Sequence, residues 1–232
     1  MEDDDDGRGS ETRTGSGEGH QPRETGGAAR DWGLLPLLLL PVVVVAVRPV
    51  DLFSTDPLAL VVAVDRASMS VLVAGRHAVL TKFMTSVTGL GSAAAAAAFL
   101  GVCHLADWDR ELRLAGVSLV ITGVVVASLM ALVQRPFPPA PVCVTNGPGL
   151  SPHSFPSGHA AAVTVFAGVA RESEELPFRS IAAIAGIVAL SRVYLGTHFL
   201  SDTLVGVAIG VGAVAVGRRF LRDRPDGWTP LP

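Results

Sequence analysis

The chain has 232 residues, 49% of them hydrophobic, and a mean hydropathy of +0.47, above the range of an ordinary soluble domain. Its formal net charge of −3 is unevenly placed: residues 1–31 hold 9 of the 21 acids and 4 of the 18 bases, leaving 12 acids and 14 bases for the rest. Such a balance argues against a nucleic-acid-binding surface. The two cysteines, Cys103 and Cys143, lack the spacing of a zinc site or a disulfide scaffold.

Residues 1–31, acidic and rich in Gly, Ser and Thr, read as a disordered tail. They lack the basic start and early apolar stretch of a signal peptide. A membrane-crossing helix needs about 20 largely apolar residues, fewer where the bilayer thins. Trp32 to Val47 is apolar but short and interrupted by Pro36 and Pro41; it is the expected first span. Residues 51–80 mix apolar runs with Asp56, Asp65, Arg66, Arg76 and His77, a pattern expected of short interfacial helices. Five further spans are predicted over 83–103, 114–133, 157–170, 178–195 and 199–217. The run Ala93 to Ala98 suits close helix packing in lipid. The expected fold is therefore all-α, a polytopic bundle of about six transmembrane helices. Its membrane domain covers 32–217, followed by a basic tail over 218–232.

Orientation follows from the arginines beside the spans. Arg110 and Arg113, Arg171 and Arg179, and the group Arg218, Arg219, Arg222 and Arg224 fall on one side in a six-span chain. That side, with both termini, is expected to be cytoplasmic. The opposite, extracytoplasmic side then collects Gln134–Pro138, Phe155–Ala160 and Ser191–Asp202.

Each of those three clusters carries groups suited to phosphate. Arg135 and Arg192 offer planar forks that bind phosphate oxygens in pairs. Ser157 and Gly158 stand where a helix starts after Pro156, so free backbone N–H groups can hold an anion. His159 lies in that first turn. His198 and Asp202 are four residues apart and share a helix face, where a carboxylate can fix the imidazole tautomer and leave the other nitrogen free to attack.

The order Arg135-Pro136, then Pro156-Ser157-Gly158-His159, then Ser191-Arg192, His198 and Asp202 resembles the type 2 phosphatidic acid phosphatase superfamily. That group includes lipid phosphate phosphatases and vanadium-dependent haloperoxidases. With its spans the resemblance covers roughly residues 80–217. It implies that His198 is the nucleophile of a phosphohistidine mechanism and that Asp202 orients it. His159 is implied as the general acid, with Arg135, Arg192, Ser157 and Gly158 holding the phosphoryl oxygens. No metal or other cofactor is implied. The implied substrate is a phosphorylated membrane lipid: phosphatidic acid, phosphatidylglycerophosphate or an isoprenoid diphosphate. No obligate protein partner is indicated.

One position departs from the pattern. The family's first motif has a lysine seven residues before its arginine, and here that position is Ser128. Loss of one preorganised donor typically costs about 2.7–4 kcal/mol of transition-state stabilisation. Lys82, the only lysine, is a candidate substitute from a neighbouring span. The departure also admits an alternative, a weakened or inactive relative that binds phosphorylated lipid.

Overall fold

The computed structural model describes residues 56–139, 141–142 and 153–222, which form helices and no strands. The acidic tail, the expected span at 32–47 and residues 223–232 lie outside the described residues. The helices are α1 (Pro57–Ala74), α2 (Ala78–Thr88), α3 (Ala93–Leu105), α4 (Asp109–Val133), α5 (Gly158–Glu172), α6 (Phe178–Tyr194) and α7 (Leu200–Arg222).

The first correction concerns 51–80. Instead of short interfacial pieces, Pro57–Ala74 forms one unbroken helix of 18 residues with a hydropathy of 1.7, long and apolar enough to cross a membrane. Asp56 caps it, accepting a 2.9 Å bond from Leu58 N, and Pro57 occupies its first position, where the missing N–H has no intrahelical role. The charges that broke the hydropathy pattern do not break the helix, because Asp65 is buried at 2% exposure and paired.

The second concerns the span expected at 83–103. It is a pair of helices, α2 and α3, bent by 57° at a 3-10 turn, Gly89–Gly91. Ser92 then caps α3, its Oγ accepting from Ala95 N at 3.2 Å. Among the described residues three helices, α1, α4 and α7, are long and apolar enough to span, or four with the bent pair as one. Helices α5 and α6, of 15 and 17 residues, fall on the expected segments 157–170 and 178–195. Exposed valines and leucines along α4, among them Val120, Val124 and Leu132, are the surface expected where lipid replaces water.

Helix α5 lies at the centre, packed by α4, α6 and α7 and by the 3-10 turn. Residues Val163–Ala170 are all buried, as expected of a helix apolar on every side. Val163, Phe166 and Ala167 pack on Ala182, Ala185 and Val188 of α6, while Val165 and Val169 pack on Leu114, Ala115, Ala213 and Val214. Phe99 of α3 stacks on Phe166 at 4.7 Å. Gly206 and Gly210 bring α7 against the α5 backbone: a Cβ at Gly210 would stand 2.6 Å from Ala161 O. This spacing of small residues allows close helix approach in lipid, and it sets the start of α5 beside the start of α7.

Candidate active site

Three chain segments meet at the end of the bundle where α4 and α6 finish and α5 and α7 begin. Gln134 closes α4 in the left-handed region, φ 48°, and turns the chain to deliver Arg135. Ser154 ties that segment to the entry of α5. Its N–H donates to Arg135 O at 2.8 Å and its hydroxyl to Pro136 O at 3.0 Å. Ser157, fully buried, caps α5, and its own N–H donates to Asp202 O at 3.0 Å. Gly158 and His159 are the first two residues of α5. Gly91 backs His159 so closely that a Cβ there would lie 2.9 Å from His159 Cβ.

The third segment is the tight connection from α6 to α7. Arg192 O accepts from Thr197 N at 3.1 Å, His198 N at 3.2 Å and Thr197 Oγ1 at 3.0 Å. Gly196, at φ 71°, makes the left-handed turn that L side chains resist. The Arg192 side chain reaches Thr88 of α2, Nη1 donating to Oγ1 at 2.8 Å.

His198 is 5% exposed, and its Nδ1 meets the carbonyl of Ser154. A carbonyl only accepts, so this partner assigns the proton to Nδ1 and leaves the Nε2 lone pair free. Burial first, then the charge of Arg192, push its pKa down to about 3 against the opposing bond to Ser154; His159 is near enough to add to the effect. His198 is thus neutral at ordinary pH.

Asp202 does not hold the ring, contrary to the expectation from the i, i+4 spacing. Its Oδ2 accepts from Phe199 N at 2.9 Å and its Oδ1 from Arg135 Nη1 at 2.6 Å. The reason is local: His198 precedes α7 rather than lying on it, so the shared helix face assumed for the pair does not exist. Arg135 reaches the same carboxylate from the end of α4. Its outer nitrogens bond Asp202, Asp65 at 2.7 Å and Ser201 at 2.7 Å, and its plane covers the Phe199 ring at 4.0 Å. Lys82 is on the exposed side of α2, whereas Thr81, Met84 and Thr88 make that helix's contacts. Ser128 is exposed on α4. Among the described residues no group of three or more His, Cys, Asp or Glu is placed to hold a metal ion.

Sequence reasoning missed Asp65, Ser154 and Thr88. Asp65 carried a signal, a lone acid in an apolar run, which in a membrane marks a site and a partner by default. Ser154 acts through its backbone carbonyl, which no side-chain motif announces.

The described residues thus form an all-helical bundle, with helices long and apolar enough to span a membrane, in which two histidines, an arginine and a helix start converge at one end. The PAP2 superfamily profile matches residues 111–226, and the chain belongs to that superfamily. It is 34% identical over 133 residues to decaprenylphosphoryl-5-phosphoribose phosphatase of Mycobacterium tuberculosis, covering 55% of this chain and 74% of that one. It is 42% identical over 72 residues to phosphatidylglycerophosphatase B of Bacillus subtilis, covering 26% and 36%. Among solved structures, Aquifex aeolicus LpxE aligns with a TM-score of 0.57 at 25% identity, over 65% of this chain and 92% of that one. The Bacillus subtilis transmembrane PAP2 type phosphatidylglycerolphosphate phosphatase aligns with a TM-score of 0.61 at 22% identity, over 84% and 98%; this second likeness speaks for the fold.

Proposed function

We infer that the chain is an integral-membrane phosphatase that removes a phosphoryl group from a lipid-anchored head group. The observation that carries this reading is His198: neutral, its Nδ1 held by Ser154, its Nε2 free, and Arg192 and His159 beside it. Nε2 attacks phosphorus, forming an N–P bond as the P–O bond to the lipid breaks. His159 protonates the departing oxygen, then takes a proton from the water that attacks the phosphohistidine, releasing inorganic phosphate and restoring His198. Arg192 and the backbone N–H groups of the first turn of α5, from Gly158 on, hold the phosphoryl oxygens, a helix start being suited to an anion, while the Ser157 N–H is engaged with Asp202 O. The relatives named for decaprenylphosphoryl-5-phosphoribose and for phosphatidylglycerophosphate support a phosphate presented on a membrane lipid. Phosphatidic acid and isoprenoid diphosphates belong to the same substrate class.

The site end is read as extracytoplasmic. Arg110, Arg113, Arg171, Arg179, Arg218 and Arg222 all lie near the opposite ends of α4 to α7, and Arg218 pairs with Glu172 there at 2.8 Å. Basic residues at that end favour the cytoplasmic side.

A phosphate-release panel over phosphatidic acid, phosphatidylglycerophosphate, prenyl diphosphates and prenylphosphoryl sugar phosphates, run in EDTA, tests the reading. Wild type releases phosphate from at least one, and His198→Ala abolishes it. Equal slow release by both proteins overturns catalysis in favour of a protein that only binds phosphorylated lipid, the alternative that Ser128 raises.

A further inference from the structure

One short segment outside the matched region, residues 88–91, touches two of the groups to which the chemistry above gives a part. Helix α2 packs along the end of α6 with Thr81, Met84 and Thr88, whose spacing of three and four residues puts them on one helix face. Thr81 Oγ1 lies 3.0 Å from the Tyr194 hydroxyl, Met84 packs on Tyr194 and Leu195, and Thr88 Oγ1 accepts from Arg192 Nη1 at 2.8 Å. Thr85 and Ser86, by contrast, donate to carbonyls of their own helix at 2.8 and 3.0 Å, the common use of such side chains within a helix. Thr88 is buried and is the last residue of α2. The chain then turns through Gly89–Gly91 and leaves as α3, bent by 57°. Gly91 meets His159 there: a Cβ would lie 3.0 Å from His159 O and 3.1 Å from its Cα, an approach that only a residue without a side chain admits. A hydroxyl bonded to one nitrogen fixes the plane of a guanidinium without cancelling its charge. The plane matters, because the fork binds phosphate oxygens in pairs only when it faces them.

We propose that Thr88 is a positioning residue that aims Arg192 at the phosphate, and that the turn behind it seats His159 for proton transfer through Gly91. The bend between α2 and α3 is thereby the floor against which both the phosphate grip and the acid are set. Both residues act through another group, and neither touches the substrate.

The inference rests on the phosphatase reading, so wild-type turnover and its loss in His198→Ala are established first. Thr88→Val, Thr88→Ser, Gly91→Ala and Gly101→Ala are then compared for kcat, kcat/KM and the Kd of inorganic phosphate by calorimetry. Thr88→Val keeps the branched shape and removes the acceptor. A hydrogen bond to a charged group accounts for about tenfold or more, so this variant loses about tenfold in both kcat/KM and phosphate affinity. Thr88→Ser keeps the hydroxyl and stays within about threefold of wild type in both. A role in packing alone would rank the two the other way, because valine fills the space of threonine and serine does not. Gly91→Ala displaces His159 and lowers kcat about tenfold or more, a misplacement near 1 Å costing on the order of 100-fold. Its phosphate Kd stays within about threefold, since the acid does not hold the phosphoryl oxygens. Gly101→Ala, where a Cβ meets nothing within 4 Å, keeps wild-type values. Wild-type kcat/KM and phosphate Kd in Thr88→Val overturn the proposal, as does Thr88→Ser impaired as far as Thr88→Val, or wild-type kcat in Gly91→Ala. Calorimetry needs no turnover: should the phosphatase reading fail, a phosphate Kd weakened in Thr88→Val and spared in Thr88→Ser still shows that Thr88 aims Arg192.

Discussion

Gly206→Ala tests whether the approach of α7 to α5 sets the site. Carbon atoms settle near 3.5–4.0 Å. A Cβ at Gly206 would stand 3.2 Å from Ala160 Cβ and 3.3 Å from Ser157 C, with Ser157 O closer still. The two helices must therefore part by roughly 0.5–1 Å. Overpacking of this kind costs about 1–3 kcal/mol, and the better helix propensity of alanine returns about 1 kcal/mol, for a net loss of ~0–2 kcal/mol. Activity suffers more than stability, because the displaced group is Ser157 itself, whose N–H is bonded to Asp202 O at 3.0 Å. With ~1 Å costing on the order of 100-fold, kcat falls about 10- to 100-fold. Phosphate-release kinetics and thermal melting in detergent measure the two effects separately. Gly210→Ala, one turn deeper against Ala161 and Thr164, lowers the melting temperature comparably but kcat less. Gly212→Ala meets nothing within 4 Å and leaves both at wild-type level or slightly better. If Gly206→Ala keeps kcat within about threefold of wild type, the helix contact does not position Ser157 and the reasoning fails.

Three further outcomes are expected. His198 has a folded-state pKa of about 3 against about 6.5 when unfolded. Its contribution to stability is therefore complete above pH 6.5 and lost as pH falls toward 3; melting curves of wild type and His198→Gln diverge in slope over that window, and parallel curves would contradict the burial argument. Arg192→Lys removes the planar fork while keeping the charge and lowers kcat/KM by about 100-fold or more, measured on the best panel substrate. Lys82→Ala leaves kcat/KM within about twofold, as expected of an exposed side chain; a loss of about 100-fold would show that Lys82 acts at the site.

The parts of the site that were legible in the sequence are those in which side-chain type and spacing carry the chemistry. Pro156 to His159 reads as a helix start because proline, a capping serine and glycine stand in order, and α5 begins at Gly158 with Ser157 as its cap. The helices α4, α6 and α7 follow from apolar run length; α6, Phe178–Tyr194, matches its expected segment to a residue, while α4, Asp109–Val133, and α7, Leu200–Arg222, run further where charged residues continue the helix beyond its apolar part. What stayed hidden was long-range pairing. The i, i+4 spacing of His198 and Asp202 implies a shared helix face only if both residues are helical, and the chain enters α7 after His198. Asp65 and Arg66 marked 51–80 as broken because hydropathy cannot see that one of those charges has a partner 70 residues away. The bend at Gly89–Gly91 was hidden for a similar reason: two glycines in an apolar run gain meaning only from His159, against which Gly91 packs.

The loop that carries His198 is held from two sides, and both holds reach outside the region that matches the family, residues 111–226. On one side Asp65 of α1 binds Arg135 and Ser201. On the other, Tyr194, the only tyrosine of the chain, accepts at its carbonyl from Arg76 Nε at 3.1 Å, while its hydroxyl meets His77 N and Thr81 Oγ1, each at 3.0 Å. Thr88 meets Arg192, and Gly91 backs His159. The loop turns at a left-handed glycine between buried Leu195 and Leu200, and the attack proposed for His198 requires it to be fixed to a fraction of an ångström. Polar contacts made by α1 and α2 add to the apolar packing of Met69 and Met84 against this loop, and loss of a partner there is costly where water does not compete. The chemistry proposed here thus falls on the motif residues of α4 to α7, and the helices before them hold much of the geometry around those residues.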